Sequence, residues 1–205
     1  MHTEALLALA AFAFTASITP GPNNTLLLAS GANFGLARTV PAMLGVNVGF
    51  GFMIFAVGLG AGTLFTTLPW IQPALRVAGV AFLLWMAWRI ATAAPMERRD
   101  GAGRPLSFLA MAAFQWLNPK AWIMVGGAMT SFLPPDGGVA AVLAITAVFG
   151  VVNLPCILSW AAFGSAFRRL LADPRHARIF NRVMAVLLCL SLVPIVQAIL
   201  ADAGL

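Results

Sequence analysis

One lysine is the residue of this sequence best suited to do chemistry. The chain carries 12 basic residues, and all but Lys120 are arginine. Lys120 lies inside a long apolar stretch, in the motif "WLNPKAW" that begins at Trp116. An ionisable side chain inside a membrane is costly and is by default a functional candidate. The structural alternative is that its ammonium reaches an interface or binds carbonyl groups nearby, and we favour the functional interpretation.

A proline-rich segment interrupts the first apolar stretch in a related way. The segment "ITPGPNN" begins at Ile18. Pro20 and Pro22 each lack a backbone N–H, and Gly21 adds conformational freedom, so a helix is broken there. In lipid, non-helical backbone is tolerated only where it is buried in protein or lines a watery cavity. We therefore expect the break to face the interior of a helix bundle.

Each break creates helix ends that attract charge. New helix N-termini at residues 22–23 and 119–120 expose N–H groups to an anion, and the preceding C-termini, at residues 18 and 117, expose carbonyl groups to a cation. A zwitterionic amino acid supplies both charges. The sequence therefore predicts a binding site for a small charged or dipolar solute where two oppositely directed breaks meet.

Asparagines concentrate near the same depth. Five of the seven asparagines fall inside apolar stretches. Each could instead form hydrogen bonds between helices, and for Asn153, next to Pro155, that alternative is about even with a role in the site. The candidate substrate-binding residues are Thr19, Pro20, Gly21, Pro22, Asn23, Asn24, Asn47, Asn118, Pro119, Lys120 and Asn153.

The elements that must position these residues are membrane helices. Of the 205 residues, 61% are hydrophobic and 9% are charged, a composition that leaves too little polar surface for a water-soluble domain. Strand alternation is absent, and each apolar stretch is near the roughly 20 residues that a spanning helix needs. We predict an all-α membrane protein with six transmembrane helices, at about Ala5 to Ala32, Val40 to Leu64, Ala74 to Ala93, Leu106 to Leu133, Val139 to Phe163 and Val183 to Ala201.

The distribution of charge predicts the orientation. With both termini outside, the cytoplasmic loops hold ten of the 12 basic residues, namely Arg38, Arg89, Arg98, Arg99, Arg104, Arg168, Arg169, Arg175, Arg178 and Arg182. Arginines in these loops would contact lipid phosphates, and nucleic acid is not an expected partner. The N-terminal "MHTEA" has no Lys or Arg, so we expect the first stretch to be a retained span rather than a cleaved signal.

A hydrophilic linker divides the predicted spans into three plus three. The linker covers residues 94–105 and separates one half, residues 1–93, from the other, residues 106–205. Because three is odd, a repeat across the linker must have inverted topology. The first span of each half carries a proline break, and the second carries an asparagine. The predicted fold is therefore two inverted three-helix repeats whose first and fourth helices are broken.

The combination of "TPGPNN", a glycine-rich second span and "NPK" resembles the LysE/RhtB family of bacterial amino-acid exporters. The resemblance covers nearly the whole chain, and it implies proton-driven efflux of amino acids or related metabolites across the inner membrane. It also assigns the family motif to Pro20, Gly21, Pro22 and Asn23, and to Asn118, Pro119 and Lys120. No Asp or Glu lies well inside a predicted span, so the proton would be carried by Lys120, by water or by the substrate itself.

Other functions have weaker support in the residues. Export of another small solute or of a metal cation is one alternative, although the near absence of intramembrane Asp, Glu, His and Cys disfavours metal ligation. An intramembrane thiol carrier is another, but Cys156 and Cys189 lie on different predicted spans. We predict a transporter rather than an enzyme, without a cofactor or a metal site. Small-residue helix faces serve internal packing and dimerisation alike, so the sequence allows a homodimer.

Overall fold

The protein is described by a computed structural model that covers residues 2–60, 67–68, 70–92, 104–135 and 137–202. These residues form helices joined by short turns, and no strand occurs among them. The predicted all-α class is confirmed. In chain order, the helices are α1 (Thr3–Ile18), α2 (Pro22–Phe34), α3 (Leu36–Gly58), α4 (Ile71–Ala91), α5 (Phe108–Leu117), α6 (Pro119–Phe132), α7 (Gly138–Ala166), a 3-10 helix (Phe167–Ala172), α8 (Pro174–Leu190) and α9 (Val193–Asp202).

The first predicted break separates α1 from α2. The two helices meet at a bend of 56°. Thr19 is extended, with φ −65° and ψ 145°, because a residue before proline is driven out of the helical region. Pro22 then occupies the first turn of α2, where the missing N–H costs no helical hydrogen bond. Proline therefore both ends one helix and starts the next.

The second predicted break separates α5 from α6 at a single residue. Asn118 is extended, with φ −87° and ψ 109°, and precedes Pro119. Its side-chain oxygen accepts a hydrogen bond of 3.1 Å from the backbone N–H of Lys120. Asn118 is thus the N-cap of α6, and the fourth predicted span is broken as expected.

Three helices are long and apolar enough to cross a membrane, namely α3, α4 and the 29-residue α7. The bent pair of α1 and α2 makes a fourth candidate if the two form one span. Helices α5 and α6 are each shorter than a spanning helix. The structure therefore supports three to four spans by length and composition within its described parts. The predicted second and third stretches end among residues 61–66 and at residue 93, outside the described residues.

The last predicted stretch, residues 183–201, differs from the structure. Helix α8 begins at Pro174, well before that stretch, and it ends at Leu190. A turn follows, in which the N–H of Leu192 bonds to the carbonyl of Cys189, before α9 begins. Pro194 explains the interruption, because it has no N–H to donate to the carbonyl of residue 190. Most of the predicted linker, residues 94–103, lies outside the described residues.

The start of α8 is capped at the arginine-rich end of the molecule. The carboxylate of Asp173 accepts a hydrogen bond of 2.7 Å from the backbone N–H of Arg175. That bond lowers the pKa of Asp173 below its usual range. An ionised carboxylate at this position also interacts favourably with the positive N-terminal end of the α8 dipole.

Helix α7 is the centre of the bundle and packs against α1, α2 and α3, while α3 also packs against α5. Glycines allow the closest crossings. A Cβ on Gly31 would clash with the carbonyl of Ala161, and a Cβ on Gly164 would clash with the carbonyl of Leu28. Backbones this close are typical of small-residue packing between membrane helices. They hold α2, the helix after the first break, firmly against α7.

Candidate functional site

The two breaks contact each other through Lys120. This residue is in the first turn of α6, and its Nζ donates to the backbone oxygen of Thr19 at 2.8 Å, to Thr19 Oγ1 at 2.8 Å and to the backbone oxygen of Pro20 at 3.3 Å. The acceptors belong to the non-helical segment between α1 and α2. The only lysine of the chain thus binds the carbonyl groups that the first break frees.

Gly21 makes room for this contact. A Cβ built on Gly21 would lie 2.8 Å from Lys120 Cδ and 3.2 Å from Lys120 Nζ. The backbone of Gly21 is extended, with φ 176° and ψ 178°, so other residues could adopt its conformation. Space for the lysine, rather than backbone strain, is therefore the physical reason for glycine here.

The remaining freed carbonyl groups bind side chains from other helices. Asn24 Nδ2 donates to the backbone oxygens of Ser17 and Thr19, both at 2.8 Å. Trp160 Nε1, on α7, donates to the backbone oxygen of Ile18 at 3.1 Å. Buried backbone acceptors need such partners, which water cannot supply in a membrane. The break is therefore held by α2, α6 and α7, although the side chains of Thr19 and Pro20 remain exposed.

A second bridge joins the helices beside the two breaks. Asn23 Nδ2 donates to Gln115 Oε1 at 2.9 Å, and Gln115 Nε2 donates back to Asn23 Oδ1 at 3.1 Å. Gln115 also donates to the backbone oxygen of Met111 at 2.8 Å and is 0% exposed. This paired amide contact fixes α2 against α5, one turn before the Asn118 break.

A third amide contact joins the second helices of the two predicted repeats. Asn153 Nδ2 on α7 donates to Asn47 Oδ1 on α3 at 2.9 Å. Asn153 is buried and Asn47 is half-buried. The contact satisfies both amides in part and brings α3 and α7 together.

These groups surround a small cavity of about 20 Å³, enough for about one water molecule. One part of its wall is polar or backbone-exposing and consists of Ser17, Gly21, Asn23, Asn24, Asn118, Lys120 and Asn153. The other part is apolar and consists of Ala16, Val46, Phe50, Ala121, Met124 and Ile157. Lys120 is the only charged residue among the described residues of this wall. The chemistry of this wall suits a small solute with a polar end and an uncharged side chain, which would have to widen the cavity to bind.

The structure brings most of the predicted site residues together, in different roles. Six of the predicted residues line the cavity, namely Gly21, Asn23, Asn24, Asn118, Lys120 and Asn153. Thr19 and Pro20 instead hold Lys120, and Asn47 holds Asn153. Pro22 and Pro119 start α2 and α6 and are not part of the cavity wall.

Sequence reasoning missed three residues of this network. Gln115 is a polar residue in an apolar helix, three positions before Asn118, and that isolation was a usable signal. Trp160 carried a weaker signal, because an indole N–H inside an apolar helix needs an acceptor. Ser17 lines the cavity but gave no signal beyond being close to the break.

The metal-site and thiol-carrier hypotheses have no matching group of side chains in the described part of the chain. Among the described residues, no group of three or more His, Cys, Asp or Glu side chains could hold a metal. Cys156 is buried and Cys189 is exposed, and both are free thiols. The contacts at the breaks are made chiefly by amides, carbonyl groups and one ammonium, groups that can bind a polar solute.

A known protein family matches most of the chain. The model of the LysE type translocator family covers residues 14–192, which include both breaks and the cavity. This chain belongs to that family. The resemblance noted from the motifs is confirmed, and so is the prediction that the protein is a transporter rather than an enzyme. It is a multi-pass protein of the inner membrane.

Curated relatives of the LysE-family chain carry a more specific description. The cysteine/O-acetylserine efflux proteins of Escherichia coli strain K12 and of Shigella flexneri are each 35% identical to it over 184 residues. These matches cover 84% of this chain and 87% of each relative. No solved structure shows a significant match to the chain.

Proposed function

We propose that this translocator exports small neutral amino acids or closely related metabolites from the cytoplasm across the inner membrane. The observation that carries the proposal is the meeting of the two breaks at one polar cavity, with Lys120 as the only charge among its described wall residues. Because the described wall residues include no carboxylate, the second positive charge of a lysine-like solute would have no ionic partner there, and such solutes would bind poorly. The relatives named for cysteine and O-acetylserine efflux, both uncharged in their side chains, support the same substrate class.

Binding would exchange partners at the first break. The Lys120 ammonium is bound to the carbonyl groups of Thr19 and Pro20. An amino acid brings its own ammonium for those carbonyl groups and a carboxylate for Lys120. The N-terminus of α6, where Asn118 caps the first turn, adds a favourable dipole for that carboxylate. Each charge has a polar partner in both arrangements, which keeps the cost of binding in a low-dielectric site small.

Six spans in two inverted repeats, residues 1–93 and 106–205 about the linker at residues 94–105, are the architecture that we propose for transport. Two pairs of contacts support it. The first helix of each half packs against the second span of the other half, namely α1 against α7 and α5 against α3. Two repeats would produce this exchange. Helix α3 also packs against α7, and α4 packs against α8, so equivalent helices of the two halves meet. Rocking of one half against the other would open the cavity to each side in turn.

Both termini would lie outside, with the arginine-rich loops in the cytoplasm. Arg38 follows the turn at Gly35, and Arg168 approaches the same glycine, with its Nη1 3.1 Å from the position that a Cβ would take there. Two loops that the positive-inside rule places in the cytoplasm therefore lie at the same end of the bundle, which supports this orientation. Exposed apolar side chains on α4 and α8, such as Trp88 and Leu190, would face lipid or a second copy in a homodimer.

Proton-motive force is the energy source that the family resemblance implies, and we adopt it as part of the proposal. The described helices carry no Asp or Glu in the cavity wall. Lys120 is then the protein group able to exchange a proton beside the solute, and ionisation of the solute itself is the alternative. Collapsing the pH gradient with a protonophore would stop accumulation if this part of the proposal holds.

The proposal is tested in inside-out membrane vesicles, into which an exporter accumulates its substrate. Vesicles with the wild-type protein should accumulate radiolabelled L-cysteine or O-acetyl-L-serine above vesicles that lack it, and radiolabelled L-lysine should not accumulate. Accumulation of L-lysine alone, or of none of the three, would contradict the proposed substrate class.

A further inference from the structure

Ser17 has an unusual environment in the last turn of α1. Its side chain is 5% exposed and lines the cavity. Among the described residues, Ser17 Oγ is the only buried side-chain nitrogen or oxygen atom that has no hydrogen-bond partner. A buried polar atom without a partner costs stability, so such atoms in native proteins require an explanation.

Other hydroxyl groups in these helices avoid this cost locally. Thr15, in the same helix, donates to the backbone oxygen of Ala11 at 2.9 Å, and Thr146 donates to that of Val142 at 2.8 Å. This bond to the preceding turn is the usual arrangement for Ser and Thr in apolar helices. Ser17 Oγ makes no such bond, although Ser17 belongs to the cavity wall.

The surroundings of Ser17 anchor it beside the first break and close to Lys120. Its backbone oxygen is held by Asn24 at 2.8 Å, which anchors the last turn of α1. Lys120, in the same cavity wall, donates to the neighbouring residue Thr19. Because the Ser17 hydroxyl is itself buried, a solute bridging Lys120 and the carbonyl groups of the break would have to widen the cavity to reach it.

We propose that Ser17 is a substrate-binding residue whose hydroxyl forms a hydrogen bond with the polar amino or carboxyl end of the exported amino acid. This inference rests on the proposed function and adds to it a residue outside the family motif. The solute would then supply the hydrogen-bond partner that Ser17 Oγ lacks. The hydroxyl contributes to affinity at the expense of stability.

The test is Ser17→Ala, measured in inside-out vesicles with radiolabelled O-acetyl-L-serine and in detergent by thermal unfolding. Loss of one hydrogen bond to a charged group should raise KM by about tenfold with a small change in the maximal rate. The unfolding midpoint without solute should stay equal or rise, because the change removes an unpartnered polar atom. A structural role for the hydroxyl would instead lower that midpoint, and an unchanged KM would overturn the proposal.

Two further variants keep the test decisive. Thr15→Ala removes a hydroxyl from the same helix that is bonded to its own backbone, and its KM should match the wild type. Ser17→Cys keeps the size of the side chain with a weaker donor, and its KM should fall between those of serine and alanine. If the wild type transports and both Ser17 variants match it, this inference fails while the proposed function stands. If the wild type does not transport the probes, the proposed function fails first.

Discussion

Replacing Lys120 with methionine would remove the ammonium and retain most of the apolar stem. Three hydrogen bonds disappear, to Thr19 O and Oγ1 at 2.8 Å each and to Pro20 O at 3.3 Å. The Thr19 carbonyl keeps its bond from Asn24, so it is not left bare. Because Lys120 is only half-buried, we expect a total loss of stability of about 2 kcal/mol, toward the low end for charged hydrogen bonds.

Transport by Lys120→Met should suffer more than stability does. A bond between the ammonium and the solute carboxylate contributes about 1.5–3 kcal/mol, so uptake at low solute concentration should fall by about 10- to 100-fold. Uptake into inside-out vesicles, normalised to inserted protein, measures this effect. Lys120→Arg should recover stability in part but not transport, because a guanidinium is wider than the space beside Gly21.

A matched control distinguishes the loss of any positive charge from the loss of the Lys120 ammonium. Arg89→Met also removes a positive charge, but Arg89 lies over the Trp85 ring, 5.1 Å from its centroid, and is not in the cavity wall. Its uptake should stay near the wild-type rate. Wild-type uptake by Lys120→Met, with protein inserted in normal amount, would refute the reasoning that places Lys120 in the binding site.

Three further substitutions test the contacts around the breaks. Gly21→Ala should displace Lys120, because its Cβ would lie 2.8 Å from Lys120 Cδ. Uptake should fall severalfold with little change in the unfolding midpoint, and normal uptake would show that the close approach is unnecessary. Gln115→Leu leaves the amide of Asn23 unpaired and should cost about 1–3 kcal/mol in thermal unfolding, whereas an unchanged midpoint would argue against the paired amides. Asn153→Ala should lower the midpoint by an amount corresponding to about 1 kcal/mol, and adding Asn47→Ala should add little further loss; strictly additive losses would show that the two amides do not interact.

The helix breaks could be predicted because their cause is local. Proline lacks an N–H and restricts the residue before it, so Thr19 and Asn118 leave the helical conformation wherever the chain folds. The same local reasoning, applied to Pro194, divides the last predicted stretch into two helices. The continuous apolar character of that stretch instead favoured a single helix.

The partners across the site could not be predicted, because they depend on packing. Lys120 and Thr19 are 101 residues apart, and Trp160 and Ile18 are 142 apart. Sequence reasoning offered both a functional and a structural interpretation of Lys120, and the structure shows it bound to carbonyl groups at the break. Only the three-dimensional arrangement shows that the same lysine also faces the cavity.

The central claim is that one solute contacts both breaks at once. A crystal structure of the protein with O-acetyl-L-serine bound tests it most directly. We predict that the solute ammonium lies within hydrogen-bonding distance of the Thr19 and Pro20 carbonyl groups, and that its carboxylate contacts Lys120 at the start of α6. Solute bound to only one break, or outside the cavity with Lys120 still on Thr19, would contradict the claim.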